Sequence, residues 1–199
     1  MSINKYFTIG LCTFLSTFML MSIQVNAYLP KSGITEFISN IECSPIEPTT
    51  EYIIENHNGK KTFMSYTTLT SKTSPQYLLQ KEYAVTNVDG FRQIFGRYCV
   101  AVGTGTNVSV GQYIDAQLEN GYIIECIVAD IKDDKHTDDI NIFTLASGCC
   151  LEFIVDTNHL PIDIIKMGDC SVYCVEFDSP VEKFIIYDKI NILKEKEDD

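Results

Sequence analysis

The sequence predicts a mainly β fold, a sandwich or a small barrel. Three observations carry this. From residue 83 onward short runs rich in Ile, Val, Tyr and Phe alternate with polar residues, the period of half-buried strands. Turn pairs such as Asp89-Gly90 and Asn120-Gly121 punctuate those runs every ~8–12 residues, as in sandwiches and small barrels. With 199 residues, 45% of them hydrophobic, the chain has the size of one domain that can bury a core without staples.

The elements follow in order. Residues 1–27 combine Lys5, an apolar stretch from Phe7 to Ile23 and the small residues Val25 and Ala27 in "QVNA", which is the pattern of a signal peptide cleaved after Ala27. An uncleaved anchor is the alternative, the apolar run lying near the lower limit of about 17 residues for a spanning helix. In both cases the remainder is expected outside the cytoplasm, secreted or in the cell envelope, touching the membrane only through this segment.

Residues 28–82 read as an N-terminal extension. Pro30, Pro45 and Pro48 make its first part loop-rich, and Asn58-Gly59 between "EYIIEN" and "KKTFMSYTTLT" predicts a hairpin. Ser74 is a good N-cap, Pro75 suits the first helical position, and Tyr77, Leu78 and Leu79 form an inward face, so a short helix is expected there. Residues 83–190 are the β domain, with strands at "GRYCVAVGTG", "QYIDAQLENG", "YIIECIVAD", "INIF", "CLEFIVD", "CSVYCVEF" and "VEKFIIYDKINIL" and one helical turn in "NHLPIDIIKMG". Residues 191–199 are a charged tail.

Charge narrows the function. A formal net charge of −12 repels nucleic acid and anionic membranes, while neutral glycans and cations remain acceptable partners. Of eight cysteines, Cys12 lies in the leader; Cys43, Cys99, Cys126, Cys149, Cys150, Cys170 and Cys174 remain, without the double C-x-x-C spacing of a zinc ribbon. Some would pair in an oxidising compartment; buried thiols acting as small hydrophobes are the other reading.

Candidate chemistry gathers in "CIVADIKDDKHTDDINIF", residues 126–143. An apolar strand ends at Asp130, so its carboxyl would emerge beside apolar neighbours that disfavour the charged form, as a general acid requires. The competing reading is an aspartate capping a turn. His136, Asp138 and Asp139 would supply an imidazole orienter, a second carboxylate or cation ligands, or simply form a solvated loop. The spacing does not match a calcium loop, and His57, His136 and His159 lack zinc spacing. No nucleophile elbow, Walker lysine motif or dinucleotide fingerprint is present, and "GTGTNVSVG" reads as a bend because no helix follows. A cysteine nucleophile working with His136 or His159 is an alternative. Asn107-Val108-Ser109 is a glycosylation acceptor only in a eukaryotic secretory setting. No cofactor is expected.

In its order of elements, the stretch from "YCVAV" through "DDINIF" resembles the double-psi β-barrel of bacterial cell-wall proteins, in particular the 3D-motif group of lytic transglycosylases. "VAV" at Val100 to Val102, "VGQYI" from Val110, the strand-end Asp130, "DDINIF" with Asp138 and Asp139, and "MGDCSVYCVEF" in place of the closing strand carry the likeness, which spans residues 83–178. Where the group has D-T-G-G this chain has "DIKD", and its loop adds His136. The resemblance implies a six-stranded barrel with a groove for polysaccharide and acid-assisted cleavage of a glycosidic bond in peptidoglycan. Asp130 would be the general acid, and Asp138 or Asp139 would stabilise positive charge on the sugar. The rival is a carbohydrate-binding or protein-interaction module of the envelope without catalysis.

Overall fold

Asn120-Gly121 makes the turn its chemistry predicts. Gly121 takes φ +83°, the Asn120 carboxamide accepts the Tyr122 amide at 2.9 Å, and strands β6 (Gln112–Leu118) and β7 (Ile123–Lys132) run back from it as an antiparallel pair. The structure is a computed structural model and describes residues 50–55 and 58–194. The expected leader (1–27), the expected loop-rich stretch after it with Cys43, and most of the charged tail lie outside the described residues. No described helix is long and apolar enough to cross a membrane.

The chain is mainly β. Besides β6 and β7 the strands are β1 (Thr50–Ile53), β2 (Thr62–Ser65), β3 (Val85–Thr86), β4 (Arg92–Ile94), β5 (Arg97–Gly103), β8 (Glu152–Val155) and β9 (Val181–Asn191). They form one mixed sheet in the order β1-β9-β6-β7-β5-β4-β3, with β8 on β5 and β2 on β8 as a side branch. The β5–β7 and β2–β8 pairs are parallel. This corrects the expectation of a closed six-stranded barrel: there are nine strands among the described residues, and the sheet is not closed. The reason is local. β5 meets β7 along one edge, but its other edge is shared by β4 at Arg97–Tyr98 and β8 at Val100–Ala101, so the ladder forks there.

The hairpin expected across Asn58-Gly59 does not form. β1 pairs with β9 and β2 with β8, so residues 50–65 belong to the same sheet as the later strands. Lys61 explains the redirection. Its side chain is fully buried, and its ammonium donates to the carbonyls of Ser179 (2.6 Å), Phe177 (2.9 Å) and Gly59 (3.2 Å). The Lys61 amide in turn donates to the Asp169 carboxylate at 3.2 Å. A buried ammonium must be matched by acceptors, and two of these, the Phe177 and Ser179 carbonyls, sit more than a hundred residues away in sequence.

The same contacts account for a second correction. "CSVYCVEF" is not a strand but two 3-10 turns, Cys170–Val172 and Val175–Phe177. Asp169 caps the first through the Ser171 amide at 2.9 Å. The Phe177 carbonyl is held by Lys61 rather than by a ladder, and the Phe177 ring stacks on Phe153 with centroids 5.7 Å apart. "INIF" is also irregular; the Asp138 carboxylate takes the amides of Ile142 (2.9 Å) and Phe143 (3.0 Å), and only an isolated bridge joins Thr137 to Thr144.

Two helices are present among the described residues. α1 (Pro75–Glu82) starts as expected, the Ser74 hydroxyl accepting the Tyr77 amide at 3.2 Å with Pro75 in the first turn. α2 (Ile162–Met167) ends at Gly168, whose φ of +62° closes the helix in the left-handed conformation that a glycine adopts without penalty. Alternation along the strands divides the core into two layers. Val100, Val128 and Phe153 face one layer with Phe91, Phe177 and Phe184, whereas Cys99, Ile127 and Ile154 face the other with Leu79 of α1.

Candidate active site

The position of Asp130 depends on one extra residue. Val128 is registered with Val100, but the next partner, Ala101, is registered with Asp130, so Ala129 is a β-bulge. Ile127 and Ala129 belong to the α1-side core, and Val128 and Ile131 to the opposite layer. Two successive residues, Ala129 and Asp130, therefore face α1. Bulges re-aim a side chain in this way, and the Asp130 carboxylate accepts the Gln76 amide of α1 at 3.3 Å. The strand does not end at Asp130, as the sequence suggests, but runs on to Lys132. Asp130 is half-buried, and burial raises its pKa above the ordinary carboxylate value; the Ile131 amide, Gln76 and Lys132 oppose this.

Beside Asp130 the same sheet face carries a polar row. Ala101 of β5 is registered with Asp130 on one side and Glu152 on the other, and Glu152 is registered with Thr62 of β2. Lys132, two residues beyond Asp130 and on its face, pairs with Glu152. It must reach across β5 to do so, and the small Ala101 between them leaves the path open. The Thr62 hydroxyl donates to the second Glu152 oxygen at 3.1 Å. Burial draws the Lys132 pKa below the usual lysine value, with Asp130 and Cys149 acting against it.

A pocket of about 500 Å³ opens on this row, lined by Thr62, Lys132, Lys135, His136, Ser147 and Glu152, with Thr144, Leu145 and Ala146 completing the wall. Behind its hydroxyls lies the Cys149 thiol, 3.0 Å from the Thr62 oxygen, 3.1 Å from that of Ser147 and 3.3 Å from that of Thr144. All six described cysteines are free thiols, and only Cys174 is not buried. Burial pushes Cys99 and Cys150 up to about 12.

The loop after Asp130 is fixed by two glycines. A side chain on Gly103 would meet the Asn141 carbonyl at 1.9 Å, and one on Gly105 would meet the Ile140 carbonyl at 2.2 Å. The Gly105 amide donates to the Asn141 carbonyl at 3.0 Å. "GTG" is thus a bend, as predicted, and its bareness lets the acidic loop fold back onto β5.

The four residues singled out in the sequence are not gathered at one point. His136 is exposed and lines the pocket with Lys132. Asp138 is committed to two backbone amides and lines a different pocket, of about 450 Å³, with Tyr52, Ile54 and Phe143. Asp139 is exposed. Asp130 sits beside Lys132 on the α1-facing side. His159 is in another place, its ring 2.9 Å from the Asp156 carboxylate. Sequence reasoning missed Lys132, Glu152, Thr62 and Gln76. One signal was available: Glu152 and Lys132 each fall on an inward-facing position of an apolar strand, where a lone charge requires a partner. Among the described residues no three His, Cys, Asp or Glu side chains cluster as metal ligands.

No protein-family model, curated protein or solved structure matches this chain.

Proposed function

We propose that the protein cleaves a glycosidic bond in peptidoglycan, with Asp130 as the general acid, after export directed by residues 1–27. The observation that carries this is a half-buried carboxyl, its pKa raised by burial, two residues along β7 from Lys132, which lines a pocket of about 500 Å³, within the size range of small-molecule sites. Of the double-psi pattern the proposal keeps one part, the parallel β5–β7 pair with β6 returning on the far edge of β7, set in an open sheet rather than a closed barrel.

In the first step Asp130 gives its proton to the bridging oxygen as the C1–O bond breaks. Positive charge develops at C1. The Glu152 carboxylate lies in the same row as Asp130, whereas Asp138 lines a different pocket, so Glu152 is the carboxylate placed to stabilise that charge. A hydroxyl of the same sugar then attacks C1 and returns its proton to Asp130, so no water is consumed.

Incubating the mature protein with peptidoglycan and following released muropeptides by mass spectrometry tests this. The wild type releases fragments; Asp130→Asn does not. A second reading, a module that binds glycan without cleaving it, is favoured by the Gln76 amide on Asp130, because a donor there stabilises the charged carboxylate. Binding to peptidoglycan with no release by the wild type would establish that reading.

A further inference from the structure

We propose that the pocket between the Thr62–Glu152 row and the loop at Thr144–Ser147 is a carboxylate-recognition subsite, selecting an acidic amino sugar or a peptide carboxylate over a neutral sugar. The proposal rests on the glycan-directed reading above and specifies which part of the substrate this pocket holds.

Charge is the first argument. The chain carries 27 acidic against 15 basic residues, yet this pocket is lined by two lysines, Lys132 and Lys135, against one carboxylate, Glu152, with the His136 imidazole beside them. In a concave site such a local reversal focuses anions that the rest of the surface repels. The second argument is donor capacity. Lys132 is neutralised by Glu152, and the Thr62, Thr144 and Ser147 hydroxyls are occupied by Glu152, Cys149 and one another. His136 differs: its amide donates to the Asp133 carbonyl at 2.8 Å and its carbonyl accepts the Leu145 amide at 2.9 Å, so its backbone is pinned while its ring makes no hydrogen bond among the described residues. Lys135, held 2.6 Å from the Asp133 carboxylate, stands beside it with further N–H donors.

Leu145 and Ala146 supply an apolar strip for a sugar face or an acetamido methyl. A carboxylate reaches this chemistry from two sources, the ether-linked acid of a muramyl sugar or the terminus of a peptide.

Titration of the 15N-labelled protein by NMR with N-acetylmuramic acid, N-acetylglucosamine and D-alanyl-D-alanine tests the proposal. Saturable shifts at Lys135, His136 and Leu145 to Ser147 are expected with an acid, with Kd at least about fivefold weaker for the neutral sugar and a similar loss in Lys135→Gln/His136→Gln, the range expected of exposed charge contacts. Binding by the muramyl acid alone assigns the source to the sugar, and binding by the dipeptide alone assigns it to peptide; either supports the subsite. Equal affinity for neutral and acidic sugars, no saturable shift with either acid, or shifts confined to other pockets would overturn it. Asp130→Asn retains this binding, so failed cleavage and failed recognition are read separately.

Discussion

Lys132 on β7 reaches across β5 to pair with Glu152 on β8. Both side chains are mostly buried, at 17% and 14% exposure. Removing one partner strands the other, and breaking a fully buried pair costs ~3–5 kcal/mol. With some solvent at this pair, Glu152→Gln is expected to lose about 2–3 kcal/mol in urea unfolding. Lys132→Met/Glu152→Leu should lose less than Glu152→Gln, because no uncompensated charge remains. If the double variant is the less stable, the pair is not the cause.

Asp130→Asn separates function from stability. A carboxyl whose pKa is raised on folding binds its proton more tightly in the folded state, so its contribution is complete below the unfolded value and is lost as pH rises through the folded value. Asparagine does not titrate. The melting temperature of the variant relative to wild type should therefore rise between acid pH and pH 7, while fragment release falls by about 10²–10⁴, the usual share of a general acid. A difference in melting temperature that stays flat with pH would remove the raised pKa from the argument.

Lys61→Met tests the buried ammonium. The Ser179 carbonyl would lose its donor and the Phe177 carbonyl would keep only the Ser179 amide, and a buried group left unpaired costs ~1–3 kcal/mol. The expected loss is about 2–4 kcal/mol, with hydrogen exchange accelerated across residues 169–179. Uniform acceleration over the whole sheet, with none specific to that segment, would contradict the anchoring role.

Gly103→Ala should disturb the acidic loop from a distance. Its new methyl meets the Asn141 carbonyl, a backbone atom that cannot rotate aside, and overpacking of this kind costs ~1–3 kcal/mol. Chemical shifts should move in residues 138–142 and around His136, while α2 is unchanged. Unaltered loop shifts would show that the loop does not depend on this contact.

Several features follow from the chain by itself. The strands at residues 97–103, 112–118, 123–132 and 152–155, the Asn120-Gly121 turn, and the Ser74-Pro75 helix start are set by alternation, turn propensity and capping, all of which act over a few neighbouring residues. Asp130 was legible for the same reason: an aspartate after an apolar run is a local signal. The pairing of strands was not. β1 and β2 flank a good turn pair yet join β9 and β8, because the buried Lys61 takes acceptors from residues 177 and 179. "CSVYCVEF" has a strand's composition but curls into 3-10 turns under those same contacts.

The site divides along the same line. Residue type and local period determined that a partly desolvated carboxyl would stand near residue 130 and that the acidic loop would turn behind it. Only the tertiary structure decided what surrounds that carboxyl. The bulge at Ala129 turns Asp130 toward Gln76, and the register of β7, β5, β8 and β2 brings Lys132, Glu152 and Thr62 into one row, while Asp138 goes to its own loop amides. A one-residue shift of register moves a side chain to the opposite face of a sheet, and register is set by partners distant in sequence. That is why the aspartate could be read from its neighbours and the lysine, glutamate and threonine beside it could not.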